Sequence, residues 1–375
     1  MGPTGVIIAE SPVPSSLPAR GTRHAARGTQ SADAVATRPR PVCTVTAMAR
    51  TPSRSAPAAR LSEIELPPLD PDSRVWPDRG VRANGADLCI RHAPALVEDA
   101  EPALLVHGLG GSALNWTDFA GQLRTRLDVE MIDLPGHGYS GPSPRRNYSL
   151  AEHARTVIAY LDRSARGPVH LVGNSMGGEI SLRVAAQRPD LVRTLTLISP
   201  AVPDVRRLRL HPLKANPLMV LLVLPGLGGA ALRRIGRASA ESRVRGTMRI
   251  VLADPSRYPA QRLAQDVTET EDRAAMAWAN EAMLRSMRGL AMNQLFRARS
   301  TWAAIGRVQA PTLVLWGDQD KLVAPDLAGY VAAAVPDSRV LVLTDIGHTA
   351  MMEDPQTSAR AFFGLLEDAA AVARS

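Results

Sequence analysis

Cysteine is nearly absent from this 375-residue chain: Cys43 and Cys89 are the only two. That excludes a disulfide framework, and nothing around them resembles a zinc ligand set. Two free thiols in a reducing compartment are what the count implies. No apolar run approaches the roughly 18 residues that cross a bilayer. The longest candidate, Leu218–Leu224, has seven and stops at Pro225-Gly226. Near the start, Val6-Ile7-Ile8 is too short for a secretory core and Glu10 interrupts it. A cytoplasmic protein with no integral membrane segment is therefore expected; Leu218–Leu224 reads first as packing against the main domain and second as a peripheral contact with lipid or a greasy substrate. A phosphate loop is missing as well: Gly226-Leu227-Gly228-Gly229 lacks both its Lys-Ser/Thr pair and the spacing of a dinucleotide fingerprint. The expectation is no cofactor and no metal.

Acidic residues are scarce in one region only. Residues 1–60 hold eight arginines against Glu10 and Asp33, a net of +6 out of the chain's +8. The other 315 residues are thus nearly neutral, which removes the basic groove that a nucleic-acid partner would need. Residues 1–75 are rich in Pro, Arg, Ala and Ser without apolar periodicity, and read as a disordered tail and linker. Their bias suits an organelle transit peptide, or an over-extended start with translation beginning at Met48. The apolar fraction of 45 % suffices for a full core in the remainder.

Order begins near Val81. Asn84-Gly85 is a strong hairpin turn, followed by a strand at Ala86–Ile90. Further strands are expected at Ala103–Val106, Val129–Ile132, Val169–Val172, Thr194–Ile198, Thr312–Leu315 and Val340–Leu343. Helices fit about 117–127, 150–164, 177–188, 325–334 and 356–373. This alternation predicts an α/β fold with a mostly parallel sheet flanked by helices. It breaks between Ser199 and Ala310, where prolines give way to helical stretches rich in Met, Ala and Arg. The expected organisation is a core of 76–200 and 310–375, with 201–309 inserted as a helical cap or lid.

The chemistry concentrates at Gly173-Asn174-Ser175-Met176-Gly177. It fits G-x-S-x-G and lies between a predicted buried strand and a predicted helix, the context that gives the pattern meaning. A serine hydroxyl is a weak nucleophile until a base takes its proton. His348, in the loop after the last strand, can serve as that base near neutral pH. An acid must orient the imidazole, and the segment after Thr312–Leu315 offers Asp318 and Asp320. The order Ser175, Asp, His348 and the loop His107-Gly108-Leu109-Gly110-Gly111-Ser112 resemble the capped α/β-hydrolase-fold superfamily over about three-quarters of the chain. That resemblance implies a cofactor-independent serine hydrolase with Asp320 as the acid, in Gly317-Asp318-Gln319-Asp320, and Asp318 as the alternative. It further implies an oxyanion hole formed by the backbone N–H groups of Leu109 and Met176. Asp133–Ser140 matches a family segment with a structural role, as do His107 and His137.

Haloalkane dehalogenases and epoxide hydrolases share this resemblance but carry an aspartate where Ser175 stands. The small-molecule substrate is expected to be an apolar carboxylic ester, with Gly108 and Trp116 in contact with it. Met276, Met283 and Met287 would share one helical face, as core or as pocket. His211 could reach the pocket from the insert. A carbon–carbon bond hydrolase of ring-fission products is the enzymatic alternative, since Arg206, Arg207, Arg233 and Arg234 could hold a substrate carboxylate. A low-turnover ligand-binding protein on the same fold is the alternative from another class.

Overall fold

In the computed structural model the described residues are 56–204 and 227–374. Residues 1–55, with Cys43, lie outside them, as do Arg206, Arg207, His211 and the Leu218–Leu224 run. The first two strands, β1 (Asp78–Ala83) and β2 (Ala86–Ala93), form the expected hairpin. Asn84 at φ 48° and Gly85 at φ 77° supply the two left-handed residues of a tight primed turn. Next come β3 (Glu101–Val106), β4 (Leu127–Ile132), β5 (Val169–Asn174), β6 (Val192–Ile198), β7 (Thr312–Gly317) and β8 (Ser338–Leu343). They make one eight-stranded sheet in the order β1-β2-β4-β3-β5-β6-β7-β8. Pairing is antiparallel from β1 through β2 to β4 and parallel from there on.

Both faces of the sheet are covered, which is why its strands read as apolar runs and not as alternating patterns. Successive side chains of β3 show the division: Leu104 and Val106 enter one core, Ala103 and Leu105 the other. The first core is closed by α2 (Leu150–Ser164) and α3 (Met176–Gln187), through Val157, Ile180 and Val184. The second is closed by α1 (Thr117–Leu123) and the long C-terminal helix, through Phe119, Leu123 and Phe362.

The linker expected through residue 75 is corrected here, because the chain lies on the body from Ala56 onward. Ala59 N–H donates to Val340 O at 2.9 Å and Ser62 N–H to Arg360 O at 2.9 Å. The Trp76 indole donates to Thr117 O at 2.9 Å. Leu61, Ile64 and Leu66 pack against the second core without regular structure, so they leave no period to be read.

Between β6 and β7 the described residues are helical: α4 (Leu227–Ile235), α5 (Ala240–Val251), α6 (Ala260–Ala274), α7 (Ala279–Phe296) and α8 (Ala298–Ile305). Met276 lies between α6 and α7, so it does not share the helical face of Met283 and Met287; helix is interrupted from Ala275 to Trp278. Polar latches fix this insert to the core. Buried Arg262 on α6 holds Asp118 of α1 through Nε and Nη2, and donates from Nη1 to Ser73 O at 2.6 Å. On the other face, Glu179 Oε1 of α3 accepts from Asn293 of α7 at 2.6 Å and Thr301 of α8 at 3.1 Å. After β7 come α9 (Leu327–Ala334), α10 (Ala350–Glu353) and α11 (Pro355–Arg374). No helix among the described residues is long and apolar enough to cross a membrane.

Removing one partner of a buried ion pair strands the other, at a cost of ~3–5 kcal/mol. Arg262→Ala is therefore expected to lower unfolding free energy by about that amount in urea titration. Gly246 in α5 faces open space, so Gly246→Ala is expected to stabilise by about 1 kcal/mol through helix propensity. Equal midpoints for Arg262→Ala and the unsubstituted protein would contradict the latch.

Candidate active site

The carboxyl ends of β3, β5, β7 and β8 lead into the four segments singled out by sequence, the end of an open α/β sheet at which ligands bind. Ser175 follows β5 and begins α3, at φ 55° and ψ −118°. A non-glycine residue in such a region costs ~1–3 kcal/mol, so its surroundings must over-determine it. They do: Ser175 N–H donates to Ile198 O at 3.0 Å, and Ser175 O accepts from Ala201 N–H at 2.9 Å and Glu179 N–H at 3.2 Å. The flanking glycines permit the close approach this needs. A Cβ on Gly177 would lie 2.2 Å from Val106 O and 2.4 Å from His107 O. One on Gly173 would lie 2.4 Å from Gly177 O. No larger residue fits at Gly177 without moving α3 away from β3, or at Gly173 without moving it away from β5.

His348 is buried in the loop after β8, and its Nδ1 lies 2.7 Å from Oδ2 of Asp320. The other oxygen of Asp320 accepts from Leu322 N–H at 2.8 Å and Val323 N–H at 2.9 Å. Burial alone would raise the Asp320 pKa; the adjacent His348 and the two backbone donors outweigh it and hold the carboxyl below its ordinary value. Asp318 instead accepts from Asp345 N–H at 2.9 Å and makes no bond to His348. An ionised acid on Nδ1 keeps the proton there and leaves Nε2 as the basic nitrogen. That Nε2 is buried and has no hydrogen-bond partner among the described residues. Ser175 Oγ and Nε2 are not hydrogen-bonded, a looseness that such pairs show before substrate tightens them.

The loop after β3 lies against the serine: a Cβ on Gly108 would be 3.0 Å from Ser175 Cβ. His107 shapes this loop from within. Its Nε2 accepts from Leu134 N–H at 3.0 Å, so its Nδ1 carries the proton and donates to Gly108 O at 2.7 Å. Burial pushes its pKa down to about 4, keeping the ring neutral and structural. Asp133 braces the same region, accepting from Ala113 N–H at 2.7 Å and Tyr139 N–H at 2.9 Å. The N–H groups of Leu109 and Met176 donate to no acceptor among the described residues, and Met176 opens α3, where the helix leaves its first amides unpaired. Met283 of the insert covers the loop, with its Cε 3.1 Å from where a Gly110 Cβ would be.

Trp116 is fully buried against Phe119 with ring centroids 5.9 Å apart, which makes it part of the second core. Three residues with clear roles carried no sequence signal. Asn174, a variable position of the pentapeptide, donates from Nδ2 to Ile198 O and His348 O, each at 3.1 Å. Glu353 accepts from Gly347, Ala253 and Asp254 N–H at 2.8, 3.1 and 2.9 Å, joining the histidine loop to the insert. Glu269 of α6 accepts from Ser112 Oγ at 2.8 Å, beside the Gly108 loop. No group of His, Cys, Asp or Glu among the described residues is arranged to hold a metal ion.

Comparison with known proteins agrees with the fold. A family model described as alpha/beta hydrolase fold matches residues 102–355. The dihydrolipoyllysine-residue acetyltransferase component of the acetoin cleaving system of Pseudomonas putida is 30 % identical over 260 residues, 68 % of this chain and 60 % of that protein. The chain thus spans well under two thirds of that relative's length. Lipase 1 of Psychrobacter immobilis is 27 % identical over 71 % of this chain and 78 % of its own. Among solved structures, a 2-hydroxy-6-oxo-6-phenylhexa-2,4-dienoate hydrolase from Rhodococcus has a TM-score of 0.59 at 19 % identity, covering 77 % of this chain and 98 % of that one. At that identity the last likeness concerns the fold alone.

Burial and the neighbouring Asp133 push the Glu269 pKa up to about 8, so the folded protein keeps this carboxyl protonated where the unfolded chain ionises it. Its stabilising contribution is complete below the unfolded pKa near 4.5 and is lost as pH rises toward 8. His107 and His153, pushed down to about 4 by burial, act oppositely, but only below their unfolded value of 6.5. Between those limits, from pH 6.5 to 8, melting temperature is expected to fall with rising pH, and Glu269→Gln is expected to flatten the slope. Parallel profiles for the two proteins would contradict a protonated Glu269.

Proposed function

The chain belongs to the alpha/beta hydrolase fold family, and from that premise we propose a serine hydrolase that cleaves carboxylic esters with an apolar acyl or alcohol group. The observation that carries the reading is the strained Ser175 elbow and a buried His348–Asp320 pair whose Nε2 has no partner among the described residues. Ser175 Oγ attacks the ester carbonyl while His348 Nε2 takes its proton. Asp320 holds Nδ1–H and offsets the charge that develops on the ring. The tetrahedral oxyanion is received by the N–H groups of Leu109 and Met176, with Gly108 keeping the backbone close to the reacting carbon. Such donors already in place before reaction are worth about 10²–10³ in rate each. His348 then gives the proton to the leaving alcohol, and a water activated by the same nitrogen releases the acid from the acyl-enzyme.

The helices from Leu227 to Ile305 act as a cap in this scheme. Leu109, in the proposed oxyanion loop, packs against the Ala231–Met287 cluster of the cap, as do Leu232, Met283 and Leu284. An acyl chain leaving Ser175 toward that cluster meets carbon and sulfur, which favours apolar esters. Ring-fission products would need a cation for their carboxylate. Of the arginines considered for it, Arg233 and Arg234 sit exposed on the last turn of α4, a poor place to hold a buried anion. The ester reading is therefore preferred, with carbon–carbon hydrolysis as the competing substrate in the test.

A chromogenic ester series of increasing acyl length, run beside a dienoate ring-fission product, decides between them. Turnover is expected on esters and to rise with chain length. Ser175→Ala is expected to reduce it on the order of 10⁴–10⁶-fold while the melting temperature is retained. Turnover of the dienoate alone, or ester turnover unchanged in Ser175→Ala, would overturn the proposal.

A further inference from the structure

Away from Ser175, a cleft of about 320 Å³ lies between the loop that enters α2 and helix α7. It is shallow and open to solvent, which suits an exposed anion better than an enclosed ligand. The lining is dominated by guanidinium groups: Arg145 and Arg146 from the loop, Arg285 and Arg288 from successive turns of α7. Asn147 and Ser149 complete the polar wall, and Ser149 is the N-cap of α2, so the positive end of that helix adds to the field. Among the described residues, no acid lines the cleft. Glu281 beside it pairs with Arg146 and, at 2.9 Å, with Arg285. Arg146 and Arg285 thus share a single glutamate, which leaves that pair with an excess of one positive charge beside Arg145.

The cluster is held in place by backbone as well as by charge. Arg146 adopts φ 51°, an unfavourable turn for a long side chain. Its N–H donates to Ser143 O at 2.8 Å, and its carbonyl accepts from Arg285 Nη1 at 3.0 Å. Loop and helix are thereby pinned with their cations adjacent. Arg145 hydrogen-bonds to no described residue. Like charges gathered this closely repel, and an anion that accepts several N–H groups at once relieves the repulsion. Guanidinium forks match the paired oxygens of carboxylate and phosphate alike, and a phosphate, with more oxygens and up to two charges, can meet several forks at once.

We propose that this cleft binds a phosphate group. Free phosphate and the headgroup of an anionic phospholipid present the same chemistry to these arginines. The lipid source has one further feature in its favour: Met292, Leu295 and Phe296, beyond Arg288 on the same helix, are 52, 50 and 71 % exposed. The inference does not depend on the ester reading, because none of its residues is placed in the reaction.

The test uses the full chain in two arms. Titration calorimetry with inorganic phosphate is compared with chloride at matched ionic strength. Co-sedimentation with vesicles of phosphatidylcholine mixed with phosphatidic acid is compared with phosphatidylcholine alone. Binding in the first arm only identifies free phosphate as the ligand; binding in the second identifies a lipid headgroup. In whichever arm binds, Arg145→Gln/Arg288→Gln is expected to weaken it about tenfold or more, as loss of charged hydrogen bonds does. Glu281→Gln is expected to tighten it severalfold, since the competing carboxylate is gone, an effect that a merely disrupted loop would not produce. Arg145→Gln alone, at an exposed position, serves if the double variant does not fold. The proposal is overturned if neither arm exceeds its control, if the arginine variants bind as the unsubstituted protein does, or if Glu281→Gln weakens binding.

Discussion

The reversal of the chain at Ser175 is the constraint from which the rest of the site follows. Strand β5 ends at Asn174 and helix α3 starts at Met176, so a single residue must turn the backbone, and it does so at positive φ. That geometry survives only because α3 packs onto the carbonyl ends of β3 where Gly177 carries no side chain. The same contact brings the Gly108 loop against the serine and leaves the first amide of α3 without an internal partner. The proposed nucleophile, the loop and the proposed oxyanion donors are consequences of one close approach. The strain of ~1–3 kcal/mol is small against the packing of two buried layers around it.

The histidine side of the site depends on the insert. His348 N–H donates to Val251 O at 2.7 Å, at the end of α5. Glu353 gathers three amides, from Gly347 and from Ala253 and Asp254, on a side chain with no exposure. A buried carboxylate is stable when hydrogen bonds replace its lost hydration, so this cluster ties the start of the histidine loop to the insert. Asn174, at the end of β5, ties the same loop to that strand through His348 O. On the far face, Glu179 joins α3 to α7 and α8. The helices over the strand ends are thus mechanically continuous with both halves of the proposed machinery, and a shift of the insert would be felt at Ser175 and His348 together.

Much of this was legible in the sequence where the determinant is local. The Asn84-Gly85 hairpin, the strand–turn–helix around Ser175 and the parallel core all leave short-range signatures. α2 falls at the residues read for it, because Ser149 caps it and its apolar period is clean. Asp320 and Asp318 stood in one short segment; the family pattern favoured Asp320, and the contact with His348 at 2.7 Å falls on it. What escaped the sequence is tertiary. Residues 56–76 pack without periodicity, as Leu61 and Trp76 show. Met276 looked helical until the break from Ala275 to Trp278 removed it from the face of Met283. Asn174, Glu269 and Glu353 act through partners distant in the chain, and no spacing announces them. Trp116, a plausible pocket residue by type, serves the core.

The central claim is that Ser175 is an activated nucleophile. Intact-mass analysis after incubation with a fluorophosphonate tests it most directly, with His348→Ala and Ser175→Ala alongside. A single phosphonyl adduct on the unsubstituted protein, located at Ser175 by peptide mapping and absent or greatly slowed in both variants, is the predicted result. An unlabelled protein, or an adduct that forms equally fast without His348, would contradict it.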